Sequence, residues 1–401
     1  MRYNSFMHAT ECRQLPARQN SAITRWKQVF AAGFLLLTLA GCGSGGPDEA
    51  YQQYLARLSR TLAVSPVNAA IPTAVRLPAP RDMHLELQSG NLDVLDFLAI
   101  SGCAVQINIG RRNSSLGRLA RDSQRLLLDL EYLRLAPPCI DYQRERGEPA
   151  LADTLEQAWS LKHRQLRAAI YNATLGSSEY RAFWKQPHYP ATDYPAMTSS
   201  TVVTSLEAIN SQVRRWLAGD FSADNTEFEI LLGEVATGDG GNLMQALAMQ
   251  AAALEAANRI LAERMRRGPL CGPVLRPAAA DILTEVVKKY FIAAIQPRAA
   301  ELNRRYHDLL PPMAALEDML VDALPVDYRS WRARRDRELA EWTMAPRRHV
   351  DHLQAIARPC ERSSNAEAAG RQNGSPAGYA QTTPSPASTM PQVENSPRRQ
   401  P

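Results

Sequence analysis

Leu243-Met244-Gln245-Ala246-Leu247-Ala248-Met249-Gln250-Ala251-Ala252-Ala253-Leu254 opens a run that continues through Leu261 to Met265. Leu243, Leu247, Ala251, Leu254, Leu261 and Met265 recur at nearly heptad spacing, which is one apolar stripe of a helix. The alanines on that helix let neighbours approach closely. Nowhere in the chain does a β-type alternation of any length appear. The reading that follows is all-α, a multi-helix bundle of about eight to ten helices with irregular, Pro-rich connections.

Working outward toward the C-terminus, Pro273 and Pro277 punctuate, and Ile282, Val286, Ile295, Leu302 and Leu309 then continue a long helix. Pro297 lies inside it and should kink it near Ala293, whose carbonyl loses its partner. Met313 to Leu324 reads as a short amphipathic helix, and Tyr328, Trp331, Leu339 and Trp342 begin the last long one. Toward the N-terminus, Val202, Leu206, Ile209, Val213, Trp216 and Leu217 mark a helix, with Thr204 and Glu207 spaced as a capping box. Pro187, Pro190 and Pro195 make the segment before it irregular. A helix from Leu151 to Ile170 carries Leu155, Trp159 and Leu166 inward, and another from Leu116 to Leu133 should stop at Pro137-Pro138. Leu92, Val94, Leu95 and Leu98 open a helix toward Cys103 and Ile109, ended by the polar break Arg111 to Ser115. Prolines from Pro66 to Pro80 give an extended wrap, followed by an edge strand near Leu85 and Leu87. The first helix carries Tyr51, Tyr54, Leu55, Leu58 and Leu62, with Asp48 and Glu49 where negative charge suits a helix start.

The N-terminus has a different logic. Arg2, Arg13, Arg18, Arg25 and Lys27 precede an uncharged apolar run from Val29 to Leu39, and Leu39-Ala40-Gly41-Cys42 fits a bacterial lipobox. At ~1.5 Å per residue the run covers about half of a ~30 Å bilayer core, so residues 1–41 read as a signal peptide and not a span. The basic region is long for such a leader, which puts the expected start downstream of Met1. Cys42 is then the acylated first residue of the mature chain, and two or three chains would hold it to a membrane. Gly43 stands where bacterial lipoproteins retained at the inner membrane typically have aspartate. The expected site is the outer membrane, facing the periplasm. Residues 42–47 form a tether, 48–362 the helical body and 363–401 a Ser/Pro/Gln-rich disordered tail.

The leader removes five of the 46 basic residues and one of the 41 acids, so the mature chain is nearly neutral. That balance gives no support to a nucleic-acid surface. Four cysteines remain: Cys103, Cys139, Cys271 and Cys360. In an exported protein they suggest two disulfides with three possible connectivities, against a rival reading of four buried thiols. Cys103–Cys139 with Cys271–Cys360 is favoured. Helices ending just before Cys271 and just before Cys360 would bring that pair to one end of the bundle. The first pair needs a break at Ser101-Gly102.

Candidate chemistry concentrates in Arg112-Asn113-Ser114-Ser115-Leu116-Gly117-Arg118 and Ser123-Gln124-Arg125-Leu126. Arg112, Asn113, Ser114, Arg118 and Gln124 could form an anion- or peptide-binding patch at a helix N-terminus. The plainer reading is that Asn113 or Ser114 caps the helix while the arginines stay in water. His349 and His352 share a helix face beside Asp351, but no third metal ligand has matching spacing. Glu227, Glu229 and Glu234 read as a solvated face. No metal and no cofactor is expected.

These two segments resemble a proteobacterial lipoprotein family known as domain of unknown function 3080. Leu95-Asp96-Phe97-Leu98, Cys103, Glu131-Tyr132-Leu133, Cys139 and Tyr171-Asn172-Ala173-Thr174 extend the likeness. So do Gly268-Pro269-Leu270-Cys271 and Ile295-Gln296-Pro297, over roughly Tyr51 to Cys360. Tyr171 departs from the family's more usual tryptophan. The resemblance implies an envelope lipoprotein and carries over no catalytic residue. Two functions follow, the first the one expected and the second its alternative. One is a structural or interaction protein that binds an envelope partner; the other is a small-ligand or peptidoglycan-fragment binder, or an enzyme, using the polar patch. A deep pocket lined by Arg112, Gln124 and a carboxylate with a shifted pKa would favour the second, and a flat or convex patch whose polar groups are all used in caps the first.

Overall fold

The computed structural model describes residues 46–88, 100, 102–187, 194–195, 198, 200–273 and 275–372. The leader, Cys42 and its tether up to residue 45, the expected helix start at Leu92 to Leu98, and the tail beyond residue 372 lie outside the described residues. Within them the chain forms helices and no strand. In order these are α1 (Pro47–Leu62), α2 (Val105–Asn113), α3 (Ser115–Arg118), α4 (Asp122–Glu145), α5 (Pro149–Ala173), α6 (Ser178–Phe183), α7 (Thr201–Leu217) and α8 (Asn225–Ala236). They continue with α9 (Gly240–Arg266), α10 (Ala278–Val286), α11 (Gln296–Met319), α12 (Val326–Thr343) and α13 (Ala345–Gln372). A single turn, Pro80–Met83, interrupts the extended wrap after α1. The last helix runs to Gln372, past the tail boundary expected at residue 363.

The stripe Leu243 to Leu261 sits at the centre. It does not face one neighbour: α1, α11, α12 and α13 all pack against α9. Ala246, Ala253, Ala256 and Ala257 are buried along with the leucines, so the helix is enclosed on nearly every side. A second, smaller core gathers Ile100, Val105, Ile109, Tyr132, Ala136, Ile140, Leu151 and Leu155 from α2, the far half of α4 and the near half of α5. Both disulfides form in the favoured pairing, Cys103–Cys139 with Cα atoms 5.6 Å apart and Cys271–Cys360 at 4.9 Å. Gly102, at φ +94°, makes the turn that lets Cys103 reach α4.

Prolines at three places in the chain behave differently from expectation. Pro137 and Pro138 lie inside α4, which continues to Glu145. Pro137 has no N–H to give the Leu133 carbonyl, but Trp159 Nε1 donates to that carbonyl at 3.0 Å from α5. At Pro297 the chain does not simply kink. Residues Val287–Ile295 wind as a π-helix, and the Gln296 N–H reaches back to the Phe291 carbonyl, so the backbone widens ahead of the ring. Nor does a new helix begin at Met313. Pro311 and Pro312 are inside α11, held by buried Leu309, Met313 and Leu316, and the Pro312 carbonyl accepts from Asn210 Nδ2 at 2.7 Å. The capping box also fails: α7 starts at Thr201, and Thr204 bonds the Thr201 carbonyl from within the helix.

The bundle also encloses an ion pair. Glu317 and Arg335 have at most 1% of their side chains exposed. Glu317 accepts from Arg335 Nη1 (2.7 Å) and Nη2 (2.9 Å), and from the hydroxyls of Tyr328 (2.6 Å) and Tyr180 (3.1 Å). Trp184 and Trp331 flank the guanidinium at 5.1 and 4.8 Å. Burial alone would pull the Arg335 pKa down; the Glu317 carboxylate outweighs it and holds it well above its ordinary value.

Candidate functional site

The residues from His84 to Gln88 have the alternation of a strand and no strand beside them. Their partner is a helix. Asn172 on α5 accepts from the Leu85 N–H (3.0 Å) and donates to the Leu85 carbonyl (2.7 Å). Gln165, with its amide nitrogen turned to the Gln88 carbonyl, does the same for Gln88 at 2.9 and 3.1 Å. The spacing fits. Seven helical residues rise about 10.5 Å, and three extended residues span about 10 Å. Two side-chain amides thus replace a ladder, and the expected edge strand becomes a strap clamped to α5.

The other wall is stitched by polar contacts. Asn108 on α2 donates to the Leu128 carbonyl (3.0 Å) and to Glu131 (2.8 Å), and Arg111 pairs with Glu131. Ser114 accepts from the Gly117 N–H at 3.0 Å and donates to the Arg111 carbonyl at 2.8 Å, so it caps the one-turn α3; the long helix expected from Leu116 begins instead at Asp122, where Arg121 gives no side-chain cap. Gly117 is there because nothing larger fits: a Cβ would stand 2.1 Å from the Arg111 carbonyl oxygen.

Between strap, α2, α3, α4 and α5 lies a cleft of about 380 Å³. Arg112, Asn113 and Arg118 of the sequence-derived patch line it. Ser114 and Gln124 do not; they face a separate groove with Phe221 and Asn225. Gln124 is one residue from Arg125, hence about 100° around α4, and the polar run wraps the helix instead of sharing a face. In place of those two, the cleft gains His84, Asp122, Arg125, Asp129 and Lys162. Asp129 holds the Lys162 ammonium at 2.5 Å and has Arg112 Nε at 3.8 Å. His84 Nε2 is 3.3 Å from Asp122. Leu87, Ile109, Leu126 and Leu161 supply an apolar lining. The His84–Asp122 pair can accept a proton. Among the described lining residues, the carboxylates of Asp122 and Asp129, the His84 imidazole and the Lys162 amine are the groups able to bond a ligand covalently or act on it, and each is paired with another.

A scan against family models matches residues 51–364. The chain belongs to the DUF3080 family of proteins of unknown function. The family span takes in both disulfides, the strap and the whole cleft. No curated protein and no solved structure matches the chain.

Lys162, Gln165, Ala169 and Asn172 fall at spacings of three, four and three on α5, a polar stripe that sequence reading could have marked. His84 carries no comparable signal, because its place depends on the strap. The histidine pair resolves otherwise. His349 is fully buried, and is not an exposed ligand. Its Nδ1–H donates to Asn258 Oδ1 (2.7 Å), and its Nε2 accepts from the Tyr54 hydroxyl (2.7 Å). Burial, with a smaller push from His352, lowers its pKa to about 3. Among the described residues no three metal-ligating side chains converge. Of the three glutamates read as a solvated face, Glu229 and Glu234 are half-buried and bonded to Ser123 and Thr201.

Proposed function

We propose that this chain is an envelope lipoprotein whose helical body is a small-ligand-binding module. Acyl chains on Cys42 would hold it to the outer membrane, facing the periplasm. The lipobox Leu39 to Cys42 and the following Gly43 support the anchor. The two disulfides support an oxidising compartment. One observation carries the binding reading: a cleft of about 380 Å³, the size of small-molecule sites, where charged groups converge over an apolar floor.

The anchor is tested by fractionation and by mass spectrometry of the amino terminus. Wild type should carry a diacylglyceryl group and stay with membranes, and Cys42→Ser should do neither. The cleft is tested by ligand-observed NMR with a small-molecule extract of cell envelopes, comparing wild type with Asn113→Trp. Asn113 is exposed at the rim, so a tryptophan there obstructs the cleft without entering a core. Signals attenuated by wild type alone support the reading. Equal attenuation by both, or none by either, refutes it.

A second reading has its own observation. Leu116 and Leu119 are 85% and 86% exposed, and Ile107 is 69% exposed, all within the segment from α2 to the start of α4. Such side chains suit docking of another envelope protein. In-cell crosslinking that captures a partner through positions 116 and 119 of wild type, and not of a Leu116→Ser/Leu119→Ser variant, would support this role.

A further inference from the structure

The charges lining the cleft do not cancel. Arg112, Arg118, Arg125 and Lys162 face two carboxylates, Asp122 and Asp129. Asp129 is taken by Lys162 and, at longer range, by Arg112, while Asp122 is engaged with His84. Among the described residues, no carboxylate lies within salt-bridge distance of Arg118 or Arg125. Arg125 Nη2 instead donates to the Arg118 carbonyl at 2.6 Å, which places its head at the α3–α4 corner. Its Nε is buried with no acceptor, and so is the Nε of Arg112. A buried donor left unmatched is costly, and a guanidinium without its own anion is ready to receive one.

The same corner is the start of α4, a 24-residue helix whose N-cap position, Arg121, gives no side-chain bond to the first turn. The helix dipole adds positive potential there, partly offset by Asp122. The lining as a whole thus carries a surplus of two unit charges, and the two guanidiniums without a carboxylate, Arg118 and Arg125, stand at that corner within the same cleft as the apolar lining of Leu87, Ile109, Leu126 and Leu161.

From this we infer that the cleft takes a small organic phosphate monoester, its dianionic head at Arg118 and Arg125 and its carbon body on the apolar floor. The inference rests on the binding reading above and adds the ligand's chemistry. A phosphate monoester carries about −1.5 to −2 charges and three terminal oxygens on one centre near neutral pH. That matches two neighbouring guanidiniums that share no carboxylate. A carboxylate brings one charge and two oxygens.

The test titrates the full-length mature protein by calorimetry with phenyl phosphate, benzoate and N-acetylglucosamine. Phenyl phosphate should bind at least tenfold more tightly than benzoate, and its affinity should fall as pH drops through about 6, where the dianion takes up a proton. Arg118→Gln/Arg125→Gln should weaken it at least tenfold with the helical circular dichroism spectrum retained, and Arg118→Gln alone, which leaves the Arg125 bond to the Arg118 carbonyl in place, should weaken it in the same direction. Benzoate or the neutral sugar binding as well as phenyl phosphate would overturn the phosphate assignment and leave the cleft standing. If none of the three binds while envelope-extract ligands do, the ligand class is wrong. If the extract is silent too, the binding reading fails with it.

Discussion

His349 offers a sharp test of the packing between α1, α9 and α13. It is neutral in the fold, with Tyr54 and Asn258 occupying its two ring nitrogens and a pKa lowered to about 3 by burial. In the unfolded chain it should titrate near the ordinary value of about 6.5. Below that value the unfolded state gains a proton that the folded state refuses, so stability present above pH 6.5 is lost as pH falls. One group with these two values contributes a loss of about 2 kcal/mol between pH 7.5 and pH 5, growing to several kcal/mol by pH 3. Tyr54 does not confuse the window, because burial raises its pKa. The assay is urea unfolding followed by far-ultraviolet circular dichroism at pH 7.5, 6 and 5, with disulfides intact. His349→Gln should start lower at pH 7.5 by about 1–3 kcal/mol, the cost of disturbed buried hydrogen bonds. Its further drop to pH 5 should be about 2 kcal/mol smaller than that of wild type. Equal drops in both proteins would refute the argument, since some other group would then be binding the protons.

Three further outcomes follow from single contacts. Glu317→Gln should cost about 3–5 kcal/mol in chemical denaturation, because it removes the buried carboxylate shared by Arg335 and Arg332 and leaves Arg335 only the half-exposed Asp336. Adding Arg335→Met should recover part of that loss, and no recovery would argue against a coupled pair. Trp159→Phe keeps the ring but leaves the Leu133 carbonyl without its donor, so about 1–3 kcal/mol should be lost; a neutral result would mean that water replaces the indole. Gly117→Ala forces a methyl against the Arg111 carbonyl, and about 1–3 kcal/mol of strain should open the α2–α3 corner. Limited proteolysis between residues 111 and 121, faster than in wild type, checks it.

The helices were legible wherever apolar side chains recur on one face. α1 shows this from Tyr51 to Leu62, and α9 from Leu243 to Leu261. That α9 is buried all round was hidden, because alanine marks no side. Prolines misled for a physical reason: a local rule sees the lost N–H at Pro137 but not the indole 22 residues on that replaces it. The site was half legible. Arg112, Asn113 and Arg118 lie together in sequence and also in the cleft. Gln124 turned away with the helical twist, while Asp129 and Lys162 meet only because α4 and α5 pack side by side.

The amide clamps on the strap ask nothing of its side chains, since both hold only main-chain atoms. Residue 88, whose side chain is exposed, is therefore free to change identity without loosening the attachment, whereas Leu85 also packs against the main core. The strap is far less free to slide. A slip of one residue moves both main-chain pairs about 3.3 Å away from their amides, and both clamps would let go together. Met83, sealed in the interior at one end of the strap, resists such a slip as well. Evolution can thus repaint this rim of the cleft residue by residue while its outline stays fixed.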